Sequence, residues 1–196
     1  MSSKNMDTRD KILQAAAELL VDEQGSAVRM GDIAKRTGVS RQAVYLHFAT
    51  RTELLEATTR YIEQQLEVDK RLAPSRNAST GKERLALYID AWGFYIPEIY
   101  GVAKALLAAK DTDEAADAAW RDRMLAMRDG CRAAIEALHR DGDLHPSLKP
   151  KEAIDMLWTL LSVRNWENLT QECGWSNKKY VSKMQLMAQN LFVAPI

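Results

Sequence analysis

Two short helical patterns lie end to end between Met30 and Phe48, with only Gly38 and Val39 between them. The patterns predict helices over residues 30–37 and 40–48. Glycine at the junction permits the left-handed backbone conformation that turns one helix sharply against the next. The spacing therefore predicts a helix-turn-helix. The side chains expected to face inward from this corner are Ile33, Ala34, Val39, Val44 and Phe48.

The rest of the chain follows the same helical periodicity. Its 196 residues include only nine glycines and five prolines, and no stretch alternates apolar and polar side chains as a strand does. The sequence therefore predicts an all-α fold. The helices expected outside the corner cover residues 8–24, a long stretch from residue 51, residues 85–96, residues 98–109, residues 120–138 (the longest pattern), residues 151–172 and residues 177–193.

Prolines and small polar residues mark the expected breaks. Residues 74–81 (PSRNASTG) are the only linker-like stretch, and they place a boundary just after a long fourth helix. Pro97 lacks an amide donor and clashes with the preceding turn, so it is expected to end or kink the helix over residues 85–96. Capping boxes predict two further helix starts, at Thr50 with Glu53 and at Thr80 with Glu83.

Positive charge is concentrated where the corner lies. The chain carries 27 basic and 27 acidic residues, so its overall charge gives no attraction to a polyanion. Residues 29–51 nevertheless have a net charge of +4, from Arg29, Lys35, Arg36, Arg41 and Arg51 against Asp32. A compact basic patch on a helix-turn-helix is typical of phosphate contact. An ordinary solvated helical hairpin carries such charges too, and both interpretations stay open at this point.

The segment from Ile33 to Leu55, IAKRTGVSRQAVYLHFATRTELL, resembles the DNA-binding signature of the TetR family of bacterial transcription regulators. The shared features are an Ile-Ala pair, a Gly-Val-Ser turn, a recognition helix ending in Tyr, His and Phe, and a cation before Leu-Leu in the fourth helix. The resemblance implies an N-terminal three-helix helix-turn-helix DNA-binding domain in residues 1–50. It also implies a C-terminal helical ligand-binding and dimerisation domain in residues 51–196.

The resemblance assigns phosphate contacts by position. Tyr45 and His47 correspond to contacts with the DNA backbone, and Arg51 to a clamp on another phosphate; such contacts position the protein without reading sequence. A structural role in closing the three-helix core is the alternative for Tyr45. Arg29 stands where the family usually caps the second helix with Thr or Ser. Arginine cannot accept the amide hydrogen bond, but it can reach phosphate as a cation.

Four further residues are expected to face the base edges, because they open the recognition helix: Ser40, Arg41, Gln42 and Ala43. Arginine suits the acceptors of guanine, glutamine suits adenine, and the alanine methyl group can touch thymine. A phosphate contact is the alternative for Arg41.

The C-terminal part of the chain is rich in aromatic and sulfur side chains. The resemblance implies an effector pocket in this part, and flexible Met with flat aromatic rings suits a largely apolar or aromatic small molecule. The candidates are Trp92, Tyr95, Tyr100, Trp120, Met124, Met127, Trp158 and Trp166. Side chains at helical spacing more often form plain core, and that alternative applies to each of them.

Signatures of enzymes and metal sites are missing from the sequence. There is no P-loop, GxGxxG, GxSxG or HExxH, and the single ExxH of Glu136 and His139 lacks the second copy that a di-iron bundle needs. Cys131 and Cys173 have no metal-ligand spacing and are expected to be buried or idle thiols. No catalytic residue, cofactor or metal is expected.

These observations together predict a homodimeric, ligand-responsive repressor. Its expected partners are a double-stranded DNA operator, a second copy of the chain and an unidentified small-molecule effector, with no membrane. The cytoplasm is the expected compartment, since the polar N-terminus offers no signal peptide and no apolar run is long enough to cross a bilayer. The resemblance implies that residues 151–172 and 177–193 form a four-helix bundle between two copies. The alternative is an α-helical small-molecule-binding or catalytic bundle without DNA binding.

Overall fold

The computed structural model describes residues 7–22 and 28–195. The helices it contains are α1 (Thr8–Asp22), α2 (Met30–Thr37), α3 (Arg41–His47), α4 (Arg51–Gln65), α5 (Val68–Arg76), α6 (Gly81–Ala109), α7 (Glu114–Arg140), α8 (Pro150–Leu160), α9 (Val163–Glu167) and α10 (Asn177–Phe192), with a π-helical turn at Asn168–Glu172. Within these described residues, the β pairing consists of an isolated antiparallel bridge between Leu144 and Val193. The predicted all-α fold is confirmed. Gly25, expected to follow α1, lies outside the described residues.

The chain divides into two compact units. The first consists of the described residues up to Leu66 together with Ile99–Arg123, and the second of Glu67–Glu98 together with the described residues from Met124 onward. Helices α6 and α7 each contribute residues to both units. Among the described helices, none is long and apolar enough to cross a membrane.

The helix-turn-helix forms as predicted. Gly38 follows α2 with a φ of 71°, the left-handed conformation that glycine adopts without strain. The amides of Gly38 and Val39 both donate to the carbonyl of Ala34, which closes the last turn of α2. Helix α3 then begins, because the Ser40 hydroxyl oxygen accepts a hydrogen bond from the amide of Ala43 at 3.0 Å.

The corner rests on a hydrophobic core within the first unit. Buried side chains of the first four helices meet there, among them Ile12, Leu13, Ile33, Val44, Phe48, Leu54 and Leu55. Leu106 at the end of α6 and Ala119 near the start of α7 complete the core. Because α3 has only seven residues, too few for a helix to be stable alone in water, its position depends on this packing.

The prediction of one long fourth helix is wrong. Helix α4 stops at Gln65, Glu67 adopts a left-handed φ of 51°, and α5 begins as a separate helix at Val68. Glu67 is the one described residue other than glycine with a positive φ. The sequence around it contains no glycine or proline, which is why periodicity alone missed the break.

The predicted linker at residues 74–81 is shorter in the structure, because Pro74 lies inside α5 and the amide of Asn77 still reaches the carbonyl of Ala73. Contacts with α6 hold α5 in place. The Arg71 guanidinium makes two hydrogen bonds to the Glu98 carboxylate, at 2.6 and 2.8 Å. Such a two-pronged ion pair is the geometry that adds most to an arginine–carboxylate contact.

Pro97 does not end its helix, contrary to the expected division into residues 85–96 and 98–109. Helix α6 continues through Pro97 and is 29 residues long in all. It is two residues longer than α7, which the sequence patterns predicted to be the longest helix. Proline cannot donate to the carbonyl of Gly93, four residues earlier. The side-chain amide of Asn177 donates to that carbonyl instead, at 3.1 Å, and the Asn177 oxygen accepts from the Trp166 indole at 2.8 Å. A distant side chain thus replaces the missing helical bond.

The expected single helix over residues 151–172 is also interrupted. Helix α8 ends at Leu160, and Ser162 caps α9 by accepting from the amide of Asn165. The carbonyls released at the break receive side-chain donors: Asn165 donates to Thr159 at 2.8 Å and Trp92 donates to Leu161 at 2.8 Å. The break is therefore satisfied by hydrogen bonds rather than strained.

The Gly93 carbonyl provides a test of this account. Replacing Asn177 with Ala removes the donor to Gly93 and the acceptor for Trp166, so we expect the free energy of unfolding to fall by roughly 1 to 3 kcal/mol. In a Pro97→Ala background the helix regains its own donor, and the same replacement should cost less. Chemical denaturation of the single and double variants measures the difference, with exposed Asn190→Ala on α10 as the control. Equal losses in the two backgrounds would contradict the proposed compensation.

Candidate nucleic-acid interface

Helix α3 has one buried side and one exposed side. Val44 and Phe48 are fully buried in the core, whereas Tyr45 and Leu46 are 41% and 81% exposed. Gln42 is exposed on the same outward side, one helical turn before Leu46. The outward side therefore presents an amide, a phenol and an apolar group to solvent.

Arg41 and Tyr45 lie together on this exposed side. The Arg41 guanidinium lies 5.6 Å from the centre of the Tyr45 ring, and its Nη2 donates to the Tyr45 hydroxyl at 3.4 Å. Stacking on an aromatic ring limits the positions that the guanidinium can take while its remaining donors face outward. Tyr45 is thus not the core residue of the alternative interpretation, and it orients the cation beside it.

The other predicted residues of the corner are less exposed. Ala43 is half-buried, and His47 is half-buried against Phe48, with ring centres 6.5 Å apart. Ser40 is exposed and uses its oxygen as the cap of α3, which leaves the hydroxyl hydrogen free to donate. Arg29 is exposed at the start of α2, where its side chain makes no capping hydrogen bond, as its chemistry predicts.

The cations of the basic patch differ in what they contact. Arg36 forms ion pairs with Glu18 and Asp22 on α1, at 3.1 and 3.2 Å, so its charge is neutralised inside the first unit. Lys35 and Arg41 form no ion pair with any residue that the structure describes. The charge available to a polyanion is therefore smaller than the sequence count of +4.

Arg51 is the predicted phosphate clamp, and its guanidinium already has two partners. Its Nε donates to the carbonyl of Val28 at 2.5 Å, and its Nη1 donates to Oδ1 of Asp113 at 2.5 Å. Arg29 and Arg51 line one cleft of about 510 Å³ on the first unit, together with Asp113 and the N-terminal turn of α7. Two residues that were predicted to bind phosphate thus line the same cleft, and the Asp113 carboxylate lies beside them.

The Asp113 carboxylate is held in its charged form. Burial acts to raise the pKa of Asp113, but the hydrogen bond and charge of Arg51 and the amides of Ala116 and Ala115 outweigh burial, so the pKa lies below its ordinary value. The carboxylate caps α7, since Oδ1 accepts from the amides of Ala115 and Ala116 at 3.0 and 3.3 Å.

Two residues of this surface are not among the predicted contacts. Leu46 is the most exposed large apolar side chain of the described residues, and its position opposite Val44 on α3 could have been found from helical periodicity. Arg9 on α1 is exposed, with its guanidinium 5.0 Å from the centre of the Phe48 ring. No local signal shows that contact, because it joins α1 to the end of α3.

The predicted effector residues are divided between the two units. Tyr100 and Trp120 belong to the first unit, where Trp120 packs against the core of the corner. The second unit contains the other six: Trp92, Tyr95, Met124, Met127, Trp158 and Trp166. Tyr95, Met127 and Trp166 are buried.

The tryptophans of the second unit use their indole N–H groups differently. Trp92 and Trp166 donate to Leu161 and Asn177 at the helix irregularities described above. The Trp158 Nε1 is buried and has no hydrogen-bond partner among the described residues, while the Arg128 guanidinium lies 5.7 Å from its ring. Among these three predicted effector tryptophans, Trp158 thus has the buried donor to spare.

The cysteines have no role in either arrangement. Both are free thiols, with Cys131 buried and Cys173 exposed. Burial raises the pKa of the Cys131 thiol to about 12, which keeps it protonated and unreactive.

An all-α chain in which a core-packed helix-turn-helix presents cationic, amide and aromatic side chains on one side of its second helix is a DNA-binding protein of the helix-turn-helix class. The family described as bacterial regulatory proteins, tetR family, matches residues 12–58. Residues 12–58 of the chain therefore form a DNA-binding domain of the TetR family, and most of the chain is similar to an HTH-type transcriptional regulator.

Three known proteins illustrate the similarity. The nucleoid occlusion factor SlmA of Marinomonas sp. is 26% identical over 76% of this chain and 75% of its own. The HTH-type transcriptional regulator CymR of Pseudomonas putida is 26% identical over 83% of this chain and 79% of its own. The structure of the transcriptional regulator FadR from Bacillus subtilis in complex with stearoyl-CoA superposes with a TM-score of 0.73, at 15% identity, over 91% of this chain and 96% of that chain. The likeness to that structure concerns the fold.

The lowered pKa of Asp113 predicts a dependence on pH. A carboxyl whose pKa is lower in the folded state stabilises the fold above its unfolded pKa, and this contribution is lost as the pH falls through the folded value. Asp113→Asn keeps the capping oxygen and removes the charge, so we expect it to lower the free energy of unfolding by about 0.5 to 1 kcal/mol at neutral pH. The difference from the unmodified protein should begin to shrink as the pH falls below about 3.8, the ordinary pKa of the carboxyl, and should disappear only below the lowered pKa of the folded protein.

Denaturant unfolding at several pH values measures this difference, with Glu114→Gln as the control. Glu114 is exposed, lies next in sequence and forms no ion pair with a described residue. A difference for Asp113→Asn that persists unchanged at acid pH would show that the ion pair is not its source.

Proposed function

We propose that the protein is a homodimeric repressor that a small, largely apolar or aromatic effector releases from its DNA operator. The exposed side of α3 supports the DNA-binding part most directly, because it carries Arg41, Gln42 and Tyr45 outward while Val44 and Phe48 fix the helix in the core. In the proposed division of labour, residues 1–50 form the DNA-binding domain, which Arg51 assists from the start of α4, and residues 51–196 form the domain that binds the effector and pairs the subunits. Because the operator belongs to the bacterial chromosome, the proposal also places the protein in the cytoplasm.

The proposed contacts divide into base and backbone contacts. Arg41 and Gln42 face base edges, with Ser40 and Ala43 at the start of the same helix and Leu46 added by the structure as an apolar partner for a thymine methyl group. Tyr45, His47, Arg29 and Arg51 contact phosphates. Tyr45 contacts the DNA backbone and, because Arg41 stacks on it, also orients Arg41 toward the groove.

Dimerisation follows from the size of α3. A single short recognition helix covers too few base pairs for tight specific binding, whereas two copies related by a twofold axis read successive major grooves about 34 to 36 Å apart. The last helices offer apolar side chains for pairing. Their exposed fractions are 38% for Met156 on α8, and 48%, 48% and 39% for Leu186, Met187 and Leu191 on α10.

The effector is proposed to bind in the second part of the chain, as FadR of Bacillus subtilis, a protein of the same fold, has been solved in complex with stearoyl-CoA. Trp158 is the best candidate for a polar contact with the effector, because its buried N–H has no partner among the described residues. A buried unpaired donor favours a ligand that supplies an acceptor oxygen at the edge of an apolar body. Effector binding would favour a dimer geometry that no longer matches the groove spacing, with a coupling on the order of 1 to 3 kcal/mol.

Two substitutions on α3 test the assigned contacts. Gln42→Ala should relax the preference at one base pair by about 1 to 3 kcal/mol, because the lost contact is to a base edge. Tyr45→Phe should lower the affinity for every duplex by about the same factor, whatever its sequence, because it removes a contact with the DNA backbone. Fluorescence anisotropy with the duplex that flanks the protein's own gene, and with its single-base variants, measures both effects.

Gln189→Ala, on the exposed surface of α10, is the matched control for the glutamine substitution. A uniform loss for Gln42→Ala would remove its assignment to a base. Absence of salt-dependent binding by the unmodified protein to any duplex would overturn the proposed function in favour of a helical small-molecule-binding protein.

The dimer is tested through the exposed apolar side chains of α10. Met187 and Leu191 are four residues apart on one side of the helix, so Met187→Glu with Leu191→Glu places two charges on the proposed interface. Sedimentation at micromolar concentration should show a dimer for the unmodified protein and a monomer for this variant. Gln189→Glu is the control, and a stable monomer for the unmodified protein would contradict the proposal.

A further inference from the structure

The Arg51 side chain is partly buried and already has hydrogen-bond partners, unlike a side chain that is free to bind a phosphate. Its side chain is 24% exposed and that of its ion-pair partner Asp113 is 13% exposed. The Arg51 Nε lies against the Val28 carbonyl just before α2, and the Arg51 Nη1 against the first turn of α7. Three segments of the first unit thus meet at one guanidinium.

The occupied nitrogen atoms decide what a phosphate could still bind. A guanidinium offers two edges for a two-pronged contact, one formed by Nε with a terminal nitrogen and the other by the two terminal nitrogens. Val28 takes Nε, which leaves the end with Nη1 and Nη2. Asp113 holds Nη1 on that end. A phosphate therefore gains both donors of the remaining edge only when the Asp113 carboxylate leaves it.

Neither residue would lose all of its partners in such an exchange. Asp113 Oδ1 would keep the hydrogen bonds from the amides of Ala115 and Ala116, at the helix end where a carboxylate is favoured. Arg51 would keep its bond to Val28, so its position at the start of α4 would not depend on the ion pair alone. The arrangement allows one anion to replace another without loss of the fold.

We infer that Asp113 competes with a DNA phosphate for Arg51, and that this ion pair is an internal brake on DNA binding. The inference rests on the proposed function, because it requires Arg51 to meet DNA. Asp113, the cap of α7, then limits the affinity of the protein for DNA. The stronger the ion pair between Asp113 and Arg51, the lower the affinity for duplex DNA.

The test compares two variants that remove the same charge from neighbouring positions. Asp113→Asn frees the end of Arg51 and preserves the helix cap, whereas Glu114→Gln removes a carboxylate from the same cleft that does not touch Arg51. A phosphate contact is independent of sequence, so a labelled random-sequence duplex of about 30 base pairs, three helical turns, is a suitable probe. We expect Asp113→Asn to bind it about three to ten times more tightly, and Glu114→Gln to change affinity by less than about twofold.

The salt dependence gives a second measurement. In the unmodified protein the DNA phosphate that binds Arg51 releases a cation while the freed Asp113 carboxylate takes one up, so this contact contributes little to the slope of log affinity against log salt. In Asp113→Asn only the release remains, and the slope should steepen by about one. In an Arg51→Ala background the replacement of Asp113 should lose both effects.

Several outcomes would overturn the inference. Equal effects of Asp113→Asn and Glu114→Gln would reduce it to general electrostatics, and weaker binding by a folded Asp113→Asn would make Asp113 a residue that positions Arg51. A gain that persists without Arg51 would also exclude it. Thermal unfolding confirms that each variant is folded. If the unmodified protein binds the duplex flanking its own gene, only the inference has failed; if it binds no duplex at all, the proposed function has failed with it.

Discussion

The burial of Val44 and Phe48 is the constraint on which the rest of the first unit depends. Helix α3 has seven residues, and a helix of that length has no stability of its own in water. Its two buried side chains anchor it to a core built from α1, α2, α4 and the adjoining ends of α6 and α7. Because the anchor is on one side only, everything on the other side is presented to solvent at a fixed angle. A rigid surface of this kind allows side chains to be matched to a groove.

The arginines of the first unit differ in their partners, and these partners decide how much of their charge is available to DNA. Arg36 and Arg51 are each neutralised by carboxylates within the first unit, while Arg41 is held by an aromatic ring and keeps its charge. The two kinds of partner have different consequences, since a ring orients a cation without opposing a phosphate, whereas a carboxylate competes with one. A count of basic residues along the chain therefore overstates what DNA can attract.

The corner could be predicted from the sequence because its determinants are local. Gly38, Ser40 and Thr50 each act within four residues of their own position. The structure places Gly38 at the expected turn and Thr50 at the expected cap, and Ser40, expected to open the recognition helix, caps it. The predicted contacts themselves are only partly recoverable this way. Helical spacing puts Gln42 and Tyr45 on the outward side, but the carboxylate opposite Arg51 comes from Asp113, too distant in sequence for any local pattern to show.

Two errors of the prediction share one physical cause. Pro97 was expected to interrupt α6, and the helix over residues 151–172 was expected to continue; in both places side chains distant in sequence supply or accept the decisive hydrogen bonds. At these places Trp92 and Trp166, two of the predicted effector residues, donate from their N–H groups to the Leu161 carbonyl and to the Asn177 side chain. Side-chain chemistry alone does not reveal such a role, because the need for it arises only when the helices pack.

The link between Pro97 and Asn177 has a consequence for how related chains can diverge. A proline at position 97 leaves the Gly93 carbonyl without its helical donor, and the Asn177 amide supplies a donor in its place. This hydrogen bond of Asn177 in turn stabilises the fold more when the proline is present than when the helix supplies its own donor. Selection therefore acts on the two positions jointly. Among descendants of a common ancestor, we expect them to be exchanged as a pair, with the loss of the proline preceding the loss of the asparagine.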